Sequence, residues 1–214
     1  MAYKANSTEM EERRALLLET AFRLFAEHSI EAVNMTEIAE AAHVGMATVY
    51  RYFGVKQKLV VELGAMKWRD FAEEVEALFR AANGDKMTAL QELAFYLDCY
   101  IELYQRHPAL LRFNANFDQY IRHAHIPAEE LRGYYDSVEH FARKFSKLYA
   151  KNGSDHTLRS DITEQELFLS GMYTMLATAQ KFAGGLIYPP ESASFNCKRA
   201  LELQKRMFLA YVKA

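Results

Sequence analysis

Apolar residues recur at intervals of three and four along nearly the whole chain, which is the spacing of one face of an α-helix. Leu17, Leu18, Ala21, Leu24 and Phe25 form one such stripe, with Glu19, Arg23 and Glu27 outside it, and predict a helix from about Glu9 to His28. Two short helices follow near Met35–Ala42 and Met46–Tyr52, then a long one from Lys56 to about Ala81. Asn83-Gly84-Asp85 closes that helix, and Asp85 is placed to cap the next, Lys86–Arg106. Pro108 suits the first turn of a helix reaching Arg122. Pro127 opens another, with the stripe Leu131, Tyr134, Val138, Phe141, Phe145 and Leu148, ended by Asn152-Gly153. Gly153–Asp161 is polar and reads as a mobile surface loop. Thr163 with Glu166 makes a capping box for Glu164–Ala183. Gly184-Gly185 stops that helix, and Pro189-Pro190 precedes a last one, Ser194–Val212. The pattern predicts an all-α protein of about nine helices with no strand. Residues 1–55, with short helices and tight turns, form one domain, and residues 56–214, with long amphipathic helices, form a larger one.

Composition supports this class. Nine Gly and four Pro in 214 residues are too few for a many-turned β protein. The formal charge of −2 and the isoelectric point near 6.4 do not suggest a polyanion partner, so any such partner must meet a local basic patch. Cys99 and Cys197 lie far apart, match no metal spacing and read as free thiols of a reducing compartment. The N-terminal residues lack an apolar signal region and no apolar run is long enough to span a bilayer, so the expectation is a soluble, cytoplasmic protein. No phosphate loop, dinucleotide fingerprint or nucleophile on a strained turn is present. His123 and His125, two apart on a helix, point to different sides and suit no shared metal. The reading is a non-enzyme with no cofactor and no metal.

The local basic patch lies between Ala41 and Val61, where no acidic residue occurs and Arg51, Lys56, Lys58 and His43 do. Here Asn34 is placed to cap the first short helix and Glu37 to return the capping bond. Ile38, Ala39 and Val49 face inward, so the two short helices form a helix-turn-helix. The outward face of the second carries Thr48, Tyr50, Arg51 and Tyr52. Hydroxyl, phenol and lysine donors suit phosphate oxygens, and Arg51 suits a guanine edge in the major groove.

These residues resemble a known family. Ala21-Phe22-Arg23-Leu24-Phe25-Ala26-Glu27, then Ile38-Ala39, Ala42, Val44, Thr48-Val49-Tyr50-Arg51-Tyr52-Phe53, Lys56 and Leu59-Val60 are similar to the N-terminal signature of TetR-type transcriptional regulators. The resemblance covers about the first sixty residues. It implies a three-helix DNA-binding domain, a helical body that binds a small effector, and a homodimer that usually represses. It also implies phosphate contacts at Asn34, Thr48, Tyr50 and Lys56, and base or backbone contacts at Arg51 and Tyr52. Gly45, Met46 and Ala47 complete the DNA-facing set at the tip of the recognition helix. They depart from the pattern, since Gly45 stands for a Ser-type cap and Met46-Ala47 for a Lys-Gly pair. His43 stands where the turn usually has Gly, and Gly54-Val55 replaces a polar pair.

In the body, no charged residue lies between Leu167 and Gln180, so that helix is expected to be buried on more than one side. Ser170, Gly171, Thr174, Ala177 and Thr178, with Ala200, Gln204, Met207, Phe208 and Tyr211 of the last helix, are the expected dimer interface. Trp68, Phe71, Phe95, Cys99, Tyr100, Phe113, Phe117, Tyr120, Tyr134, Met172 and Met175 are the candidate lining of an apolar pocket. The functional reading is a ligand-responsive repressor, released from a palindromic operator by a small hydrophobic or aromatic effector. The alternative is a helical ligand-binding or scaffolding dimer without specific DNA binding.

Overall fold

The computed structural model describes the backbone of residues 2–186 and 195–214, and their side chains from residue 9 onward. Pro189-Pro190 and the expected helix start at Ser194 lie outside these residues. The elements are α1 (Ala2–Glu27), α2 (Met35–Ala41), α3 (Met46–Phe53), α4 (Lys56–Ala81), α5 (Ala89–Arg106), α6 (Pro108–Ala124), α7 (Arg132–Asp155), α8 (Glu164–Leu167), a π-helical turn (Phe168–Tyr173), α9 (Thr174–Ala183) and α10 (Cys197–Val212). The protein is all-α, and the sole strand-like feature among the described residues is one isolated bridge.

The chain divides into two compact units, residues 1–67 with 112–136, and residues 68–111 with 137–214. In the first, Leu17, Ala21 and Phe25 of α1, Ile30, Ile38, Val49, Leu59, Val60 and Leu63 are fully buried. Burying each large apolar side chain contributes about 1.5–3 kcal/mol, so this short segment carries a dense core of its own. Phe113 and Phe117 of α6 join it, through Phe22 and through Gly64 of α4. A Cβ on Gly64 would lie 2.8 Å from Phe117 Cε2, so only glycine admits the ring this closely.

In the second unit, Leu93, Leu97 and Leu103 of α5 are buried with Leu148, Leu167, Ala179 and Leu201. The start of α5 differs from the sequence expectation. Asp85 lies in a 3₁₀ turn (Gly84–Lys86), and the cap is Thr88, in a capping box with Gln91. Two further free amides of this helix end are taken by the last residue of α7 and the segment just beyond it: Ala89 N donates to Asp155 Oδ2 (2.6 Å) and Leu90 N to Thr157 Oγ1 (3.0 Å). Beside them, Lys151 pairs with the buried carboxylate of Glu92 and also donates to the Met87 carbonyl, while Tyr96 donates its hydroxyl proton to Glu92.

Two more expectations are corrected. Helix α7 begins at Arg132, after a turn that contains Pro127, and it runs through Asn152-Gly153 to Asp155. Asn152 is instead a clasp for the segment beyond, accepting from Leu158 N and donating to Leu158 O. That segment is pinned: Leu158 is buried and bridges Lys213, and Arg159 N donates to Val212 O. The Thr163–Glu166 capping box is present. Downstream, the helix takes an extra residue into one turn at Phe168–Tyr173, where Thr174 Oγ1 donates to Leu169 O.

Candidate nucleic-acid interface

The Asn34 side-chain carbonyl accepts from Thr36 N (2.9 Å) and Glu37 N (3.0 Å), and Glu37 returns a bond to Asn34 N (2.7 Å). The cap therefore occupies the Asn34 oxygen and leaves its amide donors outward. Helix α2 ends in a Schellman turn, with Val44 N bonded to Ala39 O and His43 N to Glu40 O. His43 sits at φ 53, the left-handed position that glycine ordinarily fills in such turns. Helix α3 starts at Gly45, whose lack of a side chain leaves no side-chain cap there.

Val49 and Phe53 bury the inner face of α3, so its outer face is fixed by the helical period. Tyr50 is half exposed, Arg51, Ala47 and Gly45 are exposed, and Met46 and Thr48 are partly so. Tyr52 differs: its hydroxyl donates to Met10 O of α1 at 3.1 Å, and the Arg51 guanidinium lies over its ring (5.4 Å). Tyr52 thus seats α3 on α1 while helping to orient Arg51.

Lys56, first residue of α4, is drawn partly inward. Its ammonium lies 3.4 Å from Glu31 O and 5.7 Å from the centre of the Tyr120 ring. Burial pushes its pKa below the ordinary 10.5, against the raising influence of Glu31 and Glu37. Tyr120 belongs to α6, which meets this module through a row of side chains one turn apart. Arg112 Nε donates to Ala26 O (3.2 Å), and Asn116 Nδ2 donates to Phe25 O and His28 O (both 2.8 Å), covering the last carbonyls of α1. The sequence offered Tyr120 as pocket lining, whereas here its ring faces Lys56. Between 64 and 91 residues separate these partners, and no local pattern marks such a pair.

The model for "Bacterial regulatory proteins, tetR family" matches residues 17–63, the segment just described. This segment is similar to the N-terminal domain of TetR-family regulators. Among curated relatives, the chain is 35% identical over 88 residues to the HTH-type transcriptional regulator BetI of Agrobacterium fabrum, covering 40% of this chain and 43% of that one. It is 32% identical over 105 residues to the HTH-type transcriptional repressor KstR of Rhodococcus jostii, covering 49% and 47%. The chain therefore spans less than half the length of the curated relatives it matches. Among solved structures, a transcriptional regulator from Saccharomonospora viridis in complex with choline has a TM-score of 0.71 at 15% identity, covering 95% of this chain and 98% of that one. FadR of Bacillus subtilis in complex with stearoyl-CoA gives 0.68 at 14%, covering 93% and 99%. These likenesses show that the fold of these two structures extends over the body as well as the matched segment.

The remaining expected site residues fall in both units. Phe113, Phe117 and Tyr134 pack together in the first, with ring centres 5.9 Å and 4.5 Å apart. In the second, Trp68 and Phe71 meet Phe141 at 5.7 and 5.9 Å, and Phe95 meets Phe79 and Tyr96 at 5.5 Å each. Tyr100, Met172 and Met175 are buried. So is Cys99, and burial raises its thiol pKa to about 12. Of the expected dimer residues, Ser170, Thr174, Ala177, Ala200, Met207 and Tyr211 are exposed, and Thr178, Gln204 and Phe208 partly so. Gly171 is the correction: it lies buried against the Phe208 ring of its own chain, so the close approach it permits is between α10 and the π-helical turn. Among the described residues, no cluster of His, Cys, Asp or Glu suits a metal ion, and no helix is long and apolar enough to cross a membrane.

Proposed function

We propose that this protein is a homodimeric transcriptional repressor that binds a palindromic DNA operator through α3 and is released by a small hydrophobic or aromatic effector. The observation that carries the reading is the pairing of a buried inner face, Val49 and Phe53, with an outer face offering Tyr50 and Arg51 in a stretch free of acidic residues. Arg51 reads a guanine edge. Asn34, Thr48, Tyr50, Lys56 and the free amides at Gly45, Met46 and Ala47 hold phosphates.

The dimer reading is supported by a second surface. Leu169, Tyr173, Leu203, Met207 and Tyr211 are each between 47% and 64% exposed, an apolar display more typical of an interface than of a free surface. Along each segment these side chains recur every four residues, beside Thr174, Ala177 and Ala200, as a helix–helix interface requires. A twofold pair has a direct use, because recognition helices enter successive major grooves only when held about 34–36 Å apart.

The effector is assigned to the second unit, where aromatic side chains are dense and the buried Gln180 Nε2 meets no hydrogen-bond acceptor among the described residues. Relatives are described with choline and with stearoyl-CoA, so ligands of very different size occupy this fold. Selection of bound duplexes from a random pool tests the DNA reading. A palindrome is expected to emerge, with Arg51→Ala relaxing one base position and Lys56→Met weakening all duplexes alike. A pool that enriches nothing supports a scaffolding dimer instead. Compounds that raise Tm and release the selected duplex identify the effector class.

A further inference from the structure

Lys56 has a partner before it has DNA. Its ammonium rests between the Glu31 carbonyl and the face of Tyr120, and Tyr120 is itself 7% exposed, so this ring is a fixed platform rather than a mobile surface group. The platform is anchored from behind. Arg112 and Asn116, two turns and one turn earlier on α6, hold the last carbonyls of α1, and His123 Nδ1 lies 3.8 Å from Glu31 Oε1. The ring is thereby tied to the same α1–α2 connection that supplies the carbonyl.

We propose that Tyr120 is a positioning residue for DNA binding: it holds Lys56 in a withdrawn resting place, which Lys56 must leave to reach a phosphate. The proposal rests on the reading of Lys56 as a phosphate contact. A cation over an aromatic face is stabilised by the ring's quadrupole, and more strongly where water is partly excluded. Every duplex must compete with that contact. A residue that touches no DNA thereby lowers affinity for all sequences equally, leaving base preference to Arg51. Restraint of this kind suppresses non-specific binding, which phosphate contacts otherwise dominate.

A double-mutant cycle on the full chain tests this, using a short random-sequence duplex at low salt. Tyr120→Leu removes the π face and keeps apolar bulk, and it is expected to tighten binding about two- to fivefold, the range of an exposed to partly buried cation–π contact. Tyr120→Phe, which keeps the ring, restores the restraint. Lys56→Met weakens binding and lowers the slope of log affinity against log salt by about 0.9, one phosphate's share. In the Lys56→Met background, Tyr120→Leu is expected to have no further effect. An equal gain in both backgrounds overturns the latch, because the ring would then act through something other than Lys56. If Lys56→Met changes neither affinity nor slope while the wild type binds, Lys56 is no phosphate contact and the latch falls with that assignment, the rest of the DNA reading surviving. A wild type that binds no duplex removes both. Tyr120→Leu unfolding does not protect the proposal, because NMR on the wild type decides it alone. Ring current displaces the Lys56 Hε resonances upfield in the free protein, and that displacement is lost when the duplex is added. Resonances at the ordinary lysine position, or a displacement unchanged at saturating duplex, overturn it.

Discussion

At the residue scale, the same side-chain type does different work according to what its neighbours leave free. Tyr50 and Tyr52 are two apart on α3, yet one presents its phenol outward and the other donates to Met10 O. Asp155 shows the effect for a carboxylate. Burial raises its pKa, but hydrogen bonds from Ala89 N, Thr157 Oγ1 and Thr157 N, with Lys151 nearby, outweigh that and hold it below the ordinary 3.8. A carboxyl depressed on folding stabilises above its unfolded pKa, and that contribution is lost as pH falls through the folded value. Chemical denaturation across an acid series is expected to show stability falling below about pH 4. Asp155→Asn should be less stable than the wild type at neutral pH and should narrow that gap as pH falls. A constant gap between the two across the series would remove Asp155 from the account.

At the element scale, helix ends and close approaches explain the departures from a plain periodicity reading. The pattern for α4 was complete, since its bounds are those of the apolar period. The start of α5 was not, because Asp85 and Thr88 are both good caps in sequence and only Thr88 has a Gln three residues on to close the box. Helix α7 passes through Asn152-Gly153 because Asn152 binds both the amide and the carbonyl of Leu158, stabilisation invisible to a rule that reads Asn-Gly as a stop. Gly64 is a further case. Helix propensity alone favours alanine there by about 0.8–1 kcal/mol, but the new methyl would meet the Phe117 ring at 2.8 Å. Overpacking of a filled core costs about 1–3 kcal/mol, so Gly64→Ala is expected to lower the urea midpoint with m unchanged. A rise in the midpoint would show that Phe117 yields easily.

At the scale of the whole molecule, the exposed apolar stripes of the π-helical turn and α10 are the face on which the proposed dimer rests. A monomer would leave Tyr173, Met207 and Tyr211 in water, each more than 60% exposed. Introducing like charges at the centre of a self-complementary face is unfavourable on both subunits at once. Met207→Glu with Tyr173→Glu is expected to give a folded monomer by sedimentation, with helical circular dichroism retained. Duplex affinity should fall steeply, since only one recognition helix can then engage each site. A double variant that stays dimeric would place the interface elsewhere.

The sequence by itself determined the helical class, the first short helices, the capping boxes at Asn34 and Thr163, and the outward display of Tyr50 and Arg51. All of these depend on contacts within about one or two helical turns, where periodicity and hydrogen-bond chemistry suffice. His43 in the left-handed position and the basic stretch around Arg51 were legible for the same reason. Only the tertiary structure decided that Tyr120 and Asn116 meet Lys56 and the end of α1, that Gly171 faces Phe208 of its own chain, and that residues 153–161 are held rather than loose. Those assignments depend on which surfaces meet across tens of residues, and an apolar or amide side chain at helical spacing is compatible with several such meetings.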